Sequence, residues 1–502
     1  MSEVVPPLEE RLRRLPAAVK HVHLVAVGGV GMGALAGMFK QRGLRVTGSD
    51  EQLYPPMSLI LDRLGIEVRS GYRPENLDDN PDFVVIGNKV SRSNQEAAVV
   101  LERGLPYVSF PEALSHFFIA GRRSLVVAGT HGKTTSTAML AWVLEAAGRD
   151  PSLMVGGESL DFGGNFKLGS GEFFVVEGDE YDSAFFDKGP KFLHYRPDAV
   201  LLTAVEFDHA DIYRDLDAVK DAFRHLVQII PAGAPLVVAS DFPHALDCIR
   251  GSTAAIATFG VDDGAMWRVA NLSDSGGLTR FGIQGQNGME GLLELPQPGA
   301  INARNALGVY VLARELGLGH AEIASALQRF AGVRRRQELV GELGGVVLID
   351  DFAHHPTAVA GTLAALRQRY ADRRLWALFE PRSNTSRRKV FQQDYRDALG
   401  QADRVVVAAV FHKDTDRVSA AELFSPSQLV EELNHSGRVA STAESTDVIV
   451  KLVEREVADG DVIVMMSNGD FGGLRQRLLE VLERREAQAM GLREGEIGRK
   501  SR

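Results

Sequence analysis

The sequence predicts an α/β protein of several domains, each built around a mainly parallel, doubly wound sheet. Short apolar stretches alternate with helix-length segments along most of the chain, which is the pattern typical of such sheets. Two of these stretches run directly into glycine-rich turns that open helices. The length of 502 residues fits about three domains. The glycine-rich segment from about Ser252 to Leu295 breaks the alternation and is predicted to be a small β insertion.

Composition limits the classes of protein to which the chain can belong. Hydrophobic residues make up 45% of the chain and charged residues 24%, a balance typical of proteins with ordinary cores. The net charge of −10 argues against general binding to nucleic acid or to membrane surfaces. The single cysteine, Cys248, excludes a disulfide framework. Because no signal peptide and no apolar run of ~18–20 residues is found, we expect a soluble, cytoplasmic protein; the oligomeric state is left open.

The first glycine-rich turn, Gly28–Gly33, lies between a predicted strand, His23–Val27, and a predicted helix, Ala34–Arg42. A second predicted strand, Arg45–Gly48, ends just before an aspartate. The arrangement matches a dinucleotide-binding fingerprint and predicts a nucleotide diphosphate at the helix N-terminus. A nicotinamide-dependent dehydrogenase is one interpretation, but it leaves the second glycine turn of the chain unexplained. The fingerprint positions are Gly29, Gly31 and Ala34, followed by Asp50.

The second glycine-rich turn is the most informative part of the chain. An apolar strand ending at Ala128 leads into Gly-Thr-His-Gly-Lys-Thr-Thr, and a helix is predicted over Ser136–Ala147. Backbone N–H groups of such a loop hold phosphates, Lys133 reaches the outer phosphates, and the Thr134 hydroxyl suits Mg²⁺. Val127 stands where the commonest phosphate-loop pattern has its first glycine. We predict a nucleoside triphosphate site; the alternatives are a plain strand–helix turn and a non-catalytic nucleotide-binding module.

Carboxylates and one imidazole follow two further predicted strands of this central block. Glu177 opens the segment Glu-Gly-Asp-Glu-Tyr-Asp after strand Phe173–Glu177, and His209 lies in Glu-Phe-Asp-His-Ala-Asp after strand Ala199–Ala204. Oxygen ligands beside a phosphate loop suit Mg²⁺, so we expect Glu177 and His209 to bind metal. For Asp179, Asp182 and Asp211 the alternative of helix capping stays open.

The third block alternates in the same way. Its strand Val346–Asp350 ends in polar residues, which places them in the ligand crevice of a parallel sheet. The run Arg334–Arg336 precedes it and is either a phosphate-binding hinge or a solvated basic surface. The other predicted strands are Phe83–Ile86, Leu375–Phe379, Arg404–Val410 and Asp461–Met465. The other predicted helices are Asn94–Glu102, Ala303–Leu316, Pro356–Arg369 and Phe471–Glu486, and Leu492–Arg502 is predicted to be a frayed tail.

Taken together, these motifs resemble the Mur ligases, ATP-dependent enzymes that form amide bonds in bacterial peptidoglycan assembly. The matching segments, in chain order, are GGVGMG, VTGSD, GTHGKTT, EGDEYD, EFDHAD, INARNA, GVRRRQE and DDFAHHPT. The resemblance implies a Rossmann-like UDP-sugar domain at 1–122 and a P-loop ATPase-like domain at 123–334. It further implies a Rossmann-like domain for the acceptor peptide at 335–502. The implied chemistry is formation of an acyl phosphate followed by attack of an amine, with ATP and Mg²⁺.

Within the family, the chain is similar to the branch that acts on UDP-N-acetylmuramate. Four segments, 180–188, 191–197, 380–385 and 466–473, resemble members that attach the murein tripeptide L-alanyl-γ-D-glutamyl-meso-diaminopimelate in peptidoglycan recycling. Tyr181 and Arg382 stand where the L-alanine-adding branch of de novo synthesis usually has other residues. The resemblance therefore implies tripeptide addition, with L-alanine addition as the alternative.

The resemblance also implies roles for particular residues. The implied catalytic residues are Lys133, Glu177 and His209, and the implied metal ligands are Thr134, Glu177 and His209. The implied ATP contacts are Gly129, Thr130, His131, Gly132, Lys133, Thr134, Thr135, Asn302, Asn305, Arg336 and Asp351. The implied UDP-sugar contacts are Gly28, Gly29, Val30, Gly31, Met32, Ser49 and Asp50. The implied peptide contacts are Arg382, Ser383, Asn384 and Asn468, and for Arg382 a surface charge or an internal salt bridge is the alternative.

Three positions depart from the family pattern or have no fixed place in it. Ile301 stands where a histidine usually contributes to adenine binding, and Gln337 replaces the phenylalanine usual after the hinge arginine. Some members carry a carbamylated lysine after the metal-binding histidine, and Lys220 is the nearest candidate. Recognition of adenine through position 301 is therefore in doubt.

Overall fold

The computed structural model describes residues 6–53, 57–411, 419, 422–489 and 491. These residues form two compact units. The first unit comprises the chain up to Glu206, together with Asp217–Met266 and Gly308–Ala326. The second unit comprises Phe207–Leu216, Trp267–Leu307 and the chain from Leu327 onward. The predicted tail at Leu492–Arg502 lies outside the described residues.

The N-terminal part of the first unit is a parallel sheet with helical connections. Its strands are β1 (His21–Val25), β2 (Arg45–Asp50), β3 (Glu67–Ser70), β4 (Phe83–Ile86) and β5 (Tyr107–Ser109). Its helices are α1 (Leu8–Arg13), α2 (Val30–Gln41), α3 (Met57–Arg63), α4 (Gln95–Glu102) and α5 (Phe110–Leu114). The strand order is β3-β2-β1-β4-β5, and β1, β4 and β5 are buried throughout, as expected for parallel strands covered on both faces.

The rest of the first unit surrounds a second parallel sheet. Its strands are β6 (Arg123–Ala128), β7 (Ser152–Ser159), β8 (Gly164–Lys167), β9 (Phe173–Gly178), β10 (Asp182–Ala184), β11 (Asp187–Pro190), β12 (Ala199–Leu202), β13 (Pro235–Ala239) and β14 (Ala255–Gly260). Its helices are α6 (Lys133–Ala146), α7 (Leu216–Gln228) and α8 (Pro243–Cys248). The order within this sheet is β14-β13-β12-β6-β9-β7-β8, with only the β7–β8 pair antiparallel among these described strands, and β10 and β11 form a separate two-stranded antiparallel sheet.

The second unit contains the β insertion and the C-terminal sheet. The insertion is an antiparallel run of β15 (Trp267–Ser275), β16 (Leu278–Gly285) and β17 (Gly288–Leu295). Helices α9 (Gly299–Glu315) and α10 (His320–Gln328) follow along the chain. The remaining strands are β18 (Glu338–Leu343), β19 (Val346–Asp351), β20 (Leu375–Phe379), β21 (Arg404–Ala408), β22 (Val439–Ala443) and β23 (Val462–Met466). The remaining helices are α11 (Pro356–Arg369), α12 (Gln392–Leu399), α13 (Pro426–His435), α14 (Thr446–Glu456) and α15 (Leu474–Ala489).

The order of the strands decides which loops come together. In the first unit β6 lies between β9 and β12, so the loops after these three strands share one edge of the sheet. In the second unit the order is β18-β19-β23-β20-β21-β22, with only β18 antiparallel to its neighbour among the described strands. The loops after β19, β23 and β20 therefore also share one edge. Ligands of open α/β sheets bind at such carboxyl edges.

The predicted α/β fold with parallel sheets and a small β insertion is confirmed, with corrections to the ends of several elements. Helix α2 begins at Val30, within the glycine turn, and α6 begins at Lys133, because the turn residues themselves form the first helical turns. Strand β12 stops at Leu202; the next residue, Thr203, still donates its N–H to the carbonyl of Ala128, while its hydroxyl donates to the carbonyl of His131. In the described part of the chain, no helix is long and apolar enough to cross a membrane.

The N-terminal helix is fastened to the first unit by a buried ion pair. Arg11 donates two hydrogen bonds to the carboxylate of Glu112, at 2.6 and 2.5 Å, and the two side chains are only 6% and 1% exposed. The Arg11 guanidinium also lies 4.7 Å from the ring centroid of Phe186. Removing one member of such a pair leaves the other charged group buried and uncompensated.

We therefore predict that Arg11→Ala lowers the free energy of unfolding of the first unit by about 3–5 kcal/mol. Arg14, whose pair with Glu10 is about half exposed, is the matched control, and Arg14→Ala is expected to change stability by less than about 0.5 kcal/mol. Chemical denaturation of both variants measures the difference. Equal stabilities of the two variants would show that the buried pair does not fasten the helix.

Candidate active site

The phosphate loop can exist only with glycine at its start. Gly129 has a φ of 137°, and a Cβ there would lie 2.8 Å from the backbone N and O of Ala204. Gly132, with a φ of 80°, precedes α6 as its N-cap. The chain thus passes in close contact with the end of β12 and then turns sharply into the helix. This geometry aims the first backbone N–H groups of α6 toward the site of an anion.

Hydrogen bonds to the segment after β12 hold the loop in place. The Thr130 N–H donates to the carbonyl of Ala204 at 2.9 Å, and the Thr130 hydroxyl accepts from the Glu206 N–H at 2.9 Å. The Thr203 hydroxyl donates to the carbonyl of His131 at 2.6 Å. His131 Nε2 lies 2.7 Å from a carboxylate oxygen of Glu206. The loop is therefore preorganised by its neighbours rather than shaped by the ligand alone.

Lys133 is a buried cation with an internal carboxylate partner. Its Nζ lies 2.9 Å from Glu180, and the two side chains are 12% and 1% exposed. The same Nζ donates to the carbonyl of Gly129 at 2.5 Å. Burial alone would lower the pKa of Lys133, but the carboxylates of Glu180 and Asp179 outweigh burial and raise it. Lys133 therefore carries a positive charge beside the loop.

An oxygen-rich pair next to Lys133 fits a magnesium ion. The Thr134 hydroxyl lies 2.9 Å from Oε1 of Glu177, and Oε2 of Glu177 accepts from the Gly156 N–H at 2.6 Å. A Cβ at residue 156 would lie 3.0 Å from this carboxylate, so glycine lets the backbone approach it closely. Hydroxyl and carboxylate oxygens are the ligands that Mg²⁺ prefers. The structure thus brings Lys133, Thr134 and Glu177 together, as the sequence predicts.

The N-terminal glycine turn carries the candidate sugar-nucleotide site. Gly28 donates to Oδ2 of Asp50 at 2.8 Å, so this aspartate closes the turn. Because α2 starts at Val30, the N–H groups of Val30, Gly31 and Met32 lie in its first turn, where anions bind. The parallel with the phosphate loop is close: both turns precede a helix N-terminus at the carboxyl end of a buried strand.

Two residues predicted to contact a ligand at this turn have buried side chains. Ser49 is fully buried and donates to Glu96 at 2.5 Å, so its hydroxyl supports the strand instead of facing a ligand. The Met32 side chain is also buried, at 6% exposure, which leaves only its backbone N–H for an anion. Glu96 is itself fully buried and accepts from Ser49 and Asn76. It was not predicted, since nothing in the local sequence distinguishes it from a surface glutamate.

His209 lies in the second unit, in the segment Phe207–Leu216. Its φ of 54° is in the left-handed region, which costs a residue with a side chain about 1–3 kcal/mol. The preceding carboxylate, Asp208, is 4% exposed and lies 3.8 Å from the His209 ring. Burial alone would raise the pKa of Asp208, but three histidines and the hydroxyl of Thr385 hold it well below its usual range. Asp208 is therefore a buried anion beside the predicted metal ligand.

The predicted ATP contacts of the second unit are joined through Gln337. The Asn302 amide donates to Oε1 of Gln337 at 2.9 Å, and the Gln337 N–H donates to Asp351 at 2.9 Å. Burial raises the pKa of Asp351 to about 6, although the Arg336 cation opposes the shift. Arg336 lies 4.5 Å from the ring centroid of Phe352. Asn305 is buried on α9, the helix that also carries Asn302.

The predicted peptide contacts follow two strands that pair directly in the second unit. Arg382, after β20, lies 3.9 Å from the ring centroid of Phe411 and 3.5 Å from Glu380. Gly469, after β23, packs so closely that a Cβ there would lie 2.2 Å from Arg382 Nε. The Oδ1 atom of Asn468 is buried and has no hydrogen-bond partner among the described residues. Ser383 is buried and exchanges hydrogen bonds with Ser386, whereas Asn384 accepts from Arg387 at 3.0 Å.

Lys220, the candidate for carbamylation, lies on α7 in the first unit. Its Nζ forms an ion pair with Asp247 at 2.9 Å, and the Lys220 side chain is 12% exposed. The Lys220 ammonium thus has a carboxylate partner within the same unit, and its carbamylation stays a prediction.

Comparison with known proteins identifies the family. Residues 21–122 match the model described as "Mur ligase family, catalytic domain", residues 127–313 the "Mur ligase middle domain", and residues 335–469 the "Mur ligase, glutamate ligase domain". The UDP-N-acetylmuramate–L-alanyl-γ-D-glutamyl-meso-2,6-diaminoheptandioate ligase of Escherichia coli (strain K12) is 39% identical over 93% of this chain and 99% of its own. The chain belongs to the Mur ligase family. It is therefore an ATP-dependent ligase.

Two further relatives show how the similarity is distributed within the Mur ligases. The crystal structure of a murein peptide ligase from Psychrobacter arcticus superposes with a TM-score of 0.69 and 35% identity, over 92% of this chain and 98% of that one. The UDP-N-acetylmuramate–L-alanine ligase of Salinibacter ruber is 32% identical over 94% of this chain and 97% of its own. Both lines of the family are thus similar along nearly the whole chain.

Three residues that contact predicted site residues of the two units, or lie beside them, were not themselves predicted as site residues. Glu180 pairs with Lys133, Asp208 is a buried anion beside His209, and Thr385 hydrogen-bonds to Asp208. Glu180 could have been found, because it follows β9 by only a few residues and faces the same edge. Thr385 could not, since it is 177 positions away from Asp208 in the sequence.

We predict that Lys133→Ala lowers turnover of this Mur ligase by at least about 10²–10³, the loss typical when a transition-state charge stabiliser is removed. Binding of UDP-sugar is expected to change little, since the glycine turn of α2 is untouched. Steady-state kinetics and calorimetry measure the two effects. The control is Lys451→Ala, which removes an exposed lysine of α14. Turnover of Lys133→Ala within tenfold of the parent would exclude the assigned role of the loop.

Proposed function

We propose that this chain joins the tripeptide L-alanyl-γ-D-glutamyl-meso-diaminopimelate to UDP-N-acetylmuramate, with hydrolysis of ATP to ADP and phosphate. The observation that carries the choice of acceptor is the charge pattern after β20 and β23. Arg382 supplies a cation, Glu380 a carboxylate 3.5 Å away, and Asn468 a buried oxygen without a partner among the described residues. The diaminopimelate end of the tripeptide carries a carboxylate and an ammonium, which require such complementary groups.

The similarity to known proteins supports the same choice. The Escherichia coli relative, named for the tripeptide, is 39% identical, whereas the Salinibacter ruber ligase named for L-alanine is 32% identical over a similar share of the chain. The Psychrobacter arcticus structure is also named as a murein peptide ligase. The competing function, L-alanine addition, remains the specific alternative for the test below.

Each domain has a proposed task. We assign UDP-sugar binding to residues 1–122, ATP binding to residues 123–334 and acceptor binding to residues 335–502. The N-terminal domain would hold the diphosphate at the first turn of α2, with Asp50 closing the glycine turn. Asn302, Asn305, Arg336 and Asp351 stay as proposed contacts of the nucleotide.

In the first proposed step, the lactyl carboxylate of UDP-N-acetylmuramate attacks the γ-phosphorus of ATP. A P–O bond forms to the carboxylate, the bond to the β-phosphate oxygen breaks, and ADP leaves. Such transfers depend on alignment of two anions and on neutralisation of charge. The loop N–H groups and Lys133 would neutralise the phosphates, while Thr134 and Glu177 would hold one Mg²⁺ and His209 a second. Bound Mg²⁺ would polarise the phosphoryl oxygens.

In the second proposed step, the α-amine of the tripeptide attacks the acyl carbon. A C–N bond forms, the C–O bond to phosphate breaks, and the amine loses one proton. The acceptor must therefore be held with its amine directed at the acyl group. Arg382 and Glu380 would fix the distant end of the tripeptide, and this binding would help to position the amine.

The test of the function is phosphate release from ATP in the presence of UDP-N-acetylmuramate, with either acceptor. We expect kcat/KM for the tripeptide to exceed that for L-alanine by at least about 100-fold, because polar groups of the site stay unpaired with the smaller acceptor. Preference for L-alanine would assign the chain to the de novo branch. If the protein binds ATP but releases no phosphate in response to either acceptor, it would be a non-catalytic nucleotide-binding module.

We predict that Arg382→Lys raises the KM for the tripeptide at least about tenfold, equivalent to 1.4 kcal/mol, since lysine cannot form the bidentate contact of a guanidinium. The KM values for ATP and UDP-N-acetylmuramate are expected to stay within twofold, and kcat to fall. Arg396→Lys on α12, at an exposed ion pair, is the control. A tripeptide KM within twofold of the parent would mean that another residue reads the acceptor.

A further inference from the structure

The loop that carries Arg382 also carries a residue that contacts the backbone of His209. Thr385 is 1% exposed, and its hydroxyl donates a hydrogen bond to Oδ1 of Asp208. The same hydroxyl accepts the N–H of His209 at 3.1 Å. All three residues belong to the second unit. A single hydroxyl thus joins the acceptor loop to the segment of the proposed metal ligand.

The contact between Thr385 and His209 is made at a residue with an unfavourable backbone conformation. His209 has a φ of 54°, a conformation that residues with side chains rarely adopt. Its N–H is shared between Thr385 and Oδ1 of Asp208, the latter at 2.7 Å, and its carbonyl accepts from Ile212 and Tyr213. Such a conformation persists only when the surroundings fix it from several sides. The direction of the His209 imidazole follows from this backbone.

The loop on the other side is itself rigid. The Ser383 N–H donates to the Ser386 hydroxyl at 2.9 Å, and the Ser386 N–H donates to the Ser383 hydroxyl at 2.8 Å. Thr385 lies inside this closed turn, and Arg382 directly precedes it. A change in the position of Arg382 on acceptor binding would therefore be transmitted to Thr385.

A second set of contacts holds the same segment at Phe207. His355 Nε2 lies 3.2 Å from the carbonyl of Phe207, while its Nδ1 accepts from the Thr357 N–H at 3.4 Å. The Phe207 ring stacks on Phe391 with centroids 6.1 Å apart. These contacts anchor the start of the segment, whereas Thr385 accepts the N–H of His209 itself.

We propose that Thr385 is a positioning residue: its hydroxyl fixes the backbone of His209 and couples the acceptor loop to that metal ligand. The proposal rests on the proposed function, because it takes His209 as a ligand of Mg²⁺. Thr385 itself touches neither substrate nor metal in this assignment. It acts through Asp208 and His209.

The matched pair of variants is Thr385→Val, which removes the hydroxyl and keeps the branched shape, and Thr385→Ser, which keeps the hydroxyl. For Thr385→Val we expect kcat to fall at least about tenfold and the half-saturating Mg²⁺ concentration to rise at least about fivefold. The KM values for ATP and UDP-N-acetylmuramate should stay within twofold. Thr385→Ser should stay within threefold of the parent in every constant. The control is Thr442→Val, at an exposed threonine of β22.

A measurement without substrates or metal separates positioning from loss of activity. Hydrogen exchange resolved to single residues should show the His209 amide protected in the parent and in Thr385→Ser, and exchanging at least about tenfold faster in Thr385→Val. If Thr385→Val does not fold, hydrogen exchange of the His209 amide in the parent protein is the deciding measurement. An unprotected His209 amide in the parent would overturn the proposal. Serine and valine variants with the same defect would also overturn it.

A third variant separates the metal role of His209 from the positioning role of Thr385. His209→Ala is expected to raise the Mg²⁺ requirement more than Thr385→Val does. If His209→Ala leaves activity and Mg²⁺ dependence unchanged, the proposed metal role of His209 fails. If His209→Ala is inactive while Thr385→Val matches the parent in kinetics and in exchange, the metal role stands and the positioning role of Thr385 is overturned.

Discussion

The close approach of Gly129 to the end of β12 is the constraint on which the rest of the phosphate site depends. A Cβ at this position would lie 2.3 Å from the Thr203 hydroxyl oxygen and 2.8 Å from backbone atoms of Ala204. Because the chain can pass so near, Thr203 reaches the carbonyl of His131, and Thr130 exchanges hydrogen bonds with the segment that follows β12. The start of α6 is then fixed, and with it the positions of Lys133 and Thr134.

Charge is arranged in this site so that no buried ion stands alone. Lys133 pairs with Glu180, and Glu177 accepts from Thr134 and from the backbone of Gly156. A buried cation without a partner would lose its proton or destabilise the fold. We expect a bound triphosphate to provide further oxygen acceptors for the Lys133 ammonium. The ammonium would then be shared between these oxygens and Glu180. The cation of the loop is thus paired with a carboxylate of the protein itself.

The sequence predicted those parts of the site that depend on local pattern. A glycine turn between a buried strand and a helix places the residues that follow it, so the positions of Lys133 and Thr134 at the start of α6, and of the α2 turn, could be inferred from adjacent residues. Contacts between distant segments could not: the bond from Thr385 to Asp208 and the burial of Ser49 against Glu96 depend on tertiary packing. The predicted starts of two helices differ from the observed ones for a related reason. Val30 and Lys133 belong to the predicted turns, and in the structure these turns already form the first residues of α2 and α6.

The two departures from the family pattern in the second unit make different kinds of contact. Ile301 packs beside Gly361 of α11, where a Cβ would lie 3.2 Å from its Cδ1, so position 301 contributes apolar contact. Gln337 adds a side-chain amide that accepts from Asn302, while its backbone N–H donates to Asp351. Asp351 also accepts from the Thr362 hydroxyl at 3.2 Å. Gln337 thus joins Asn302 and Asp351 in one hydrogen-bond network, while Ile301 makes an apolar contact with α11. Because the members of such a network depend on one another, a change at Gln337 would affect both Asn302 and Asp351.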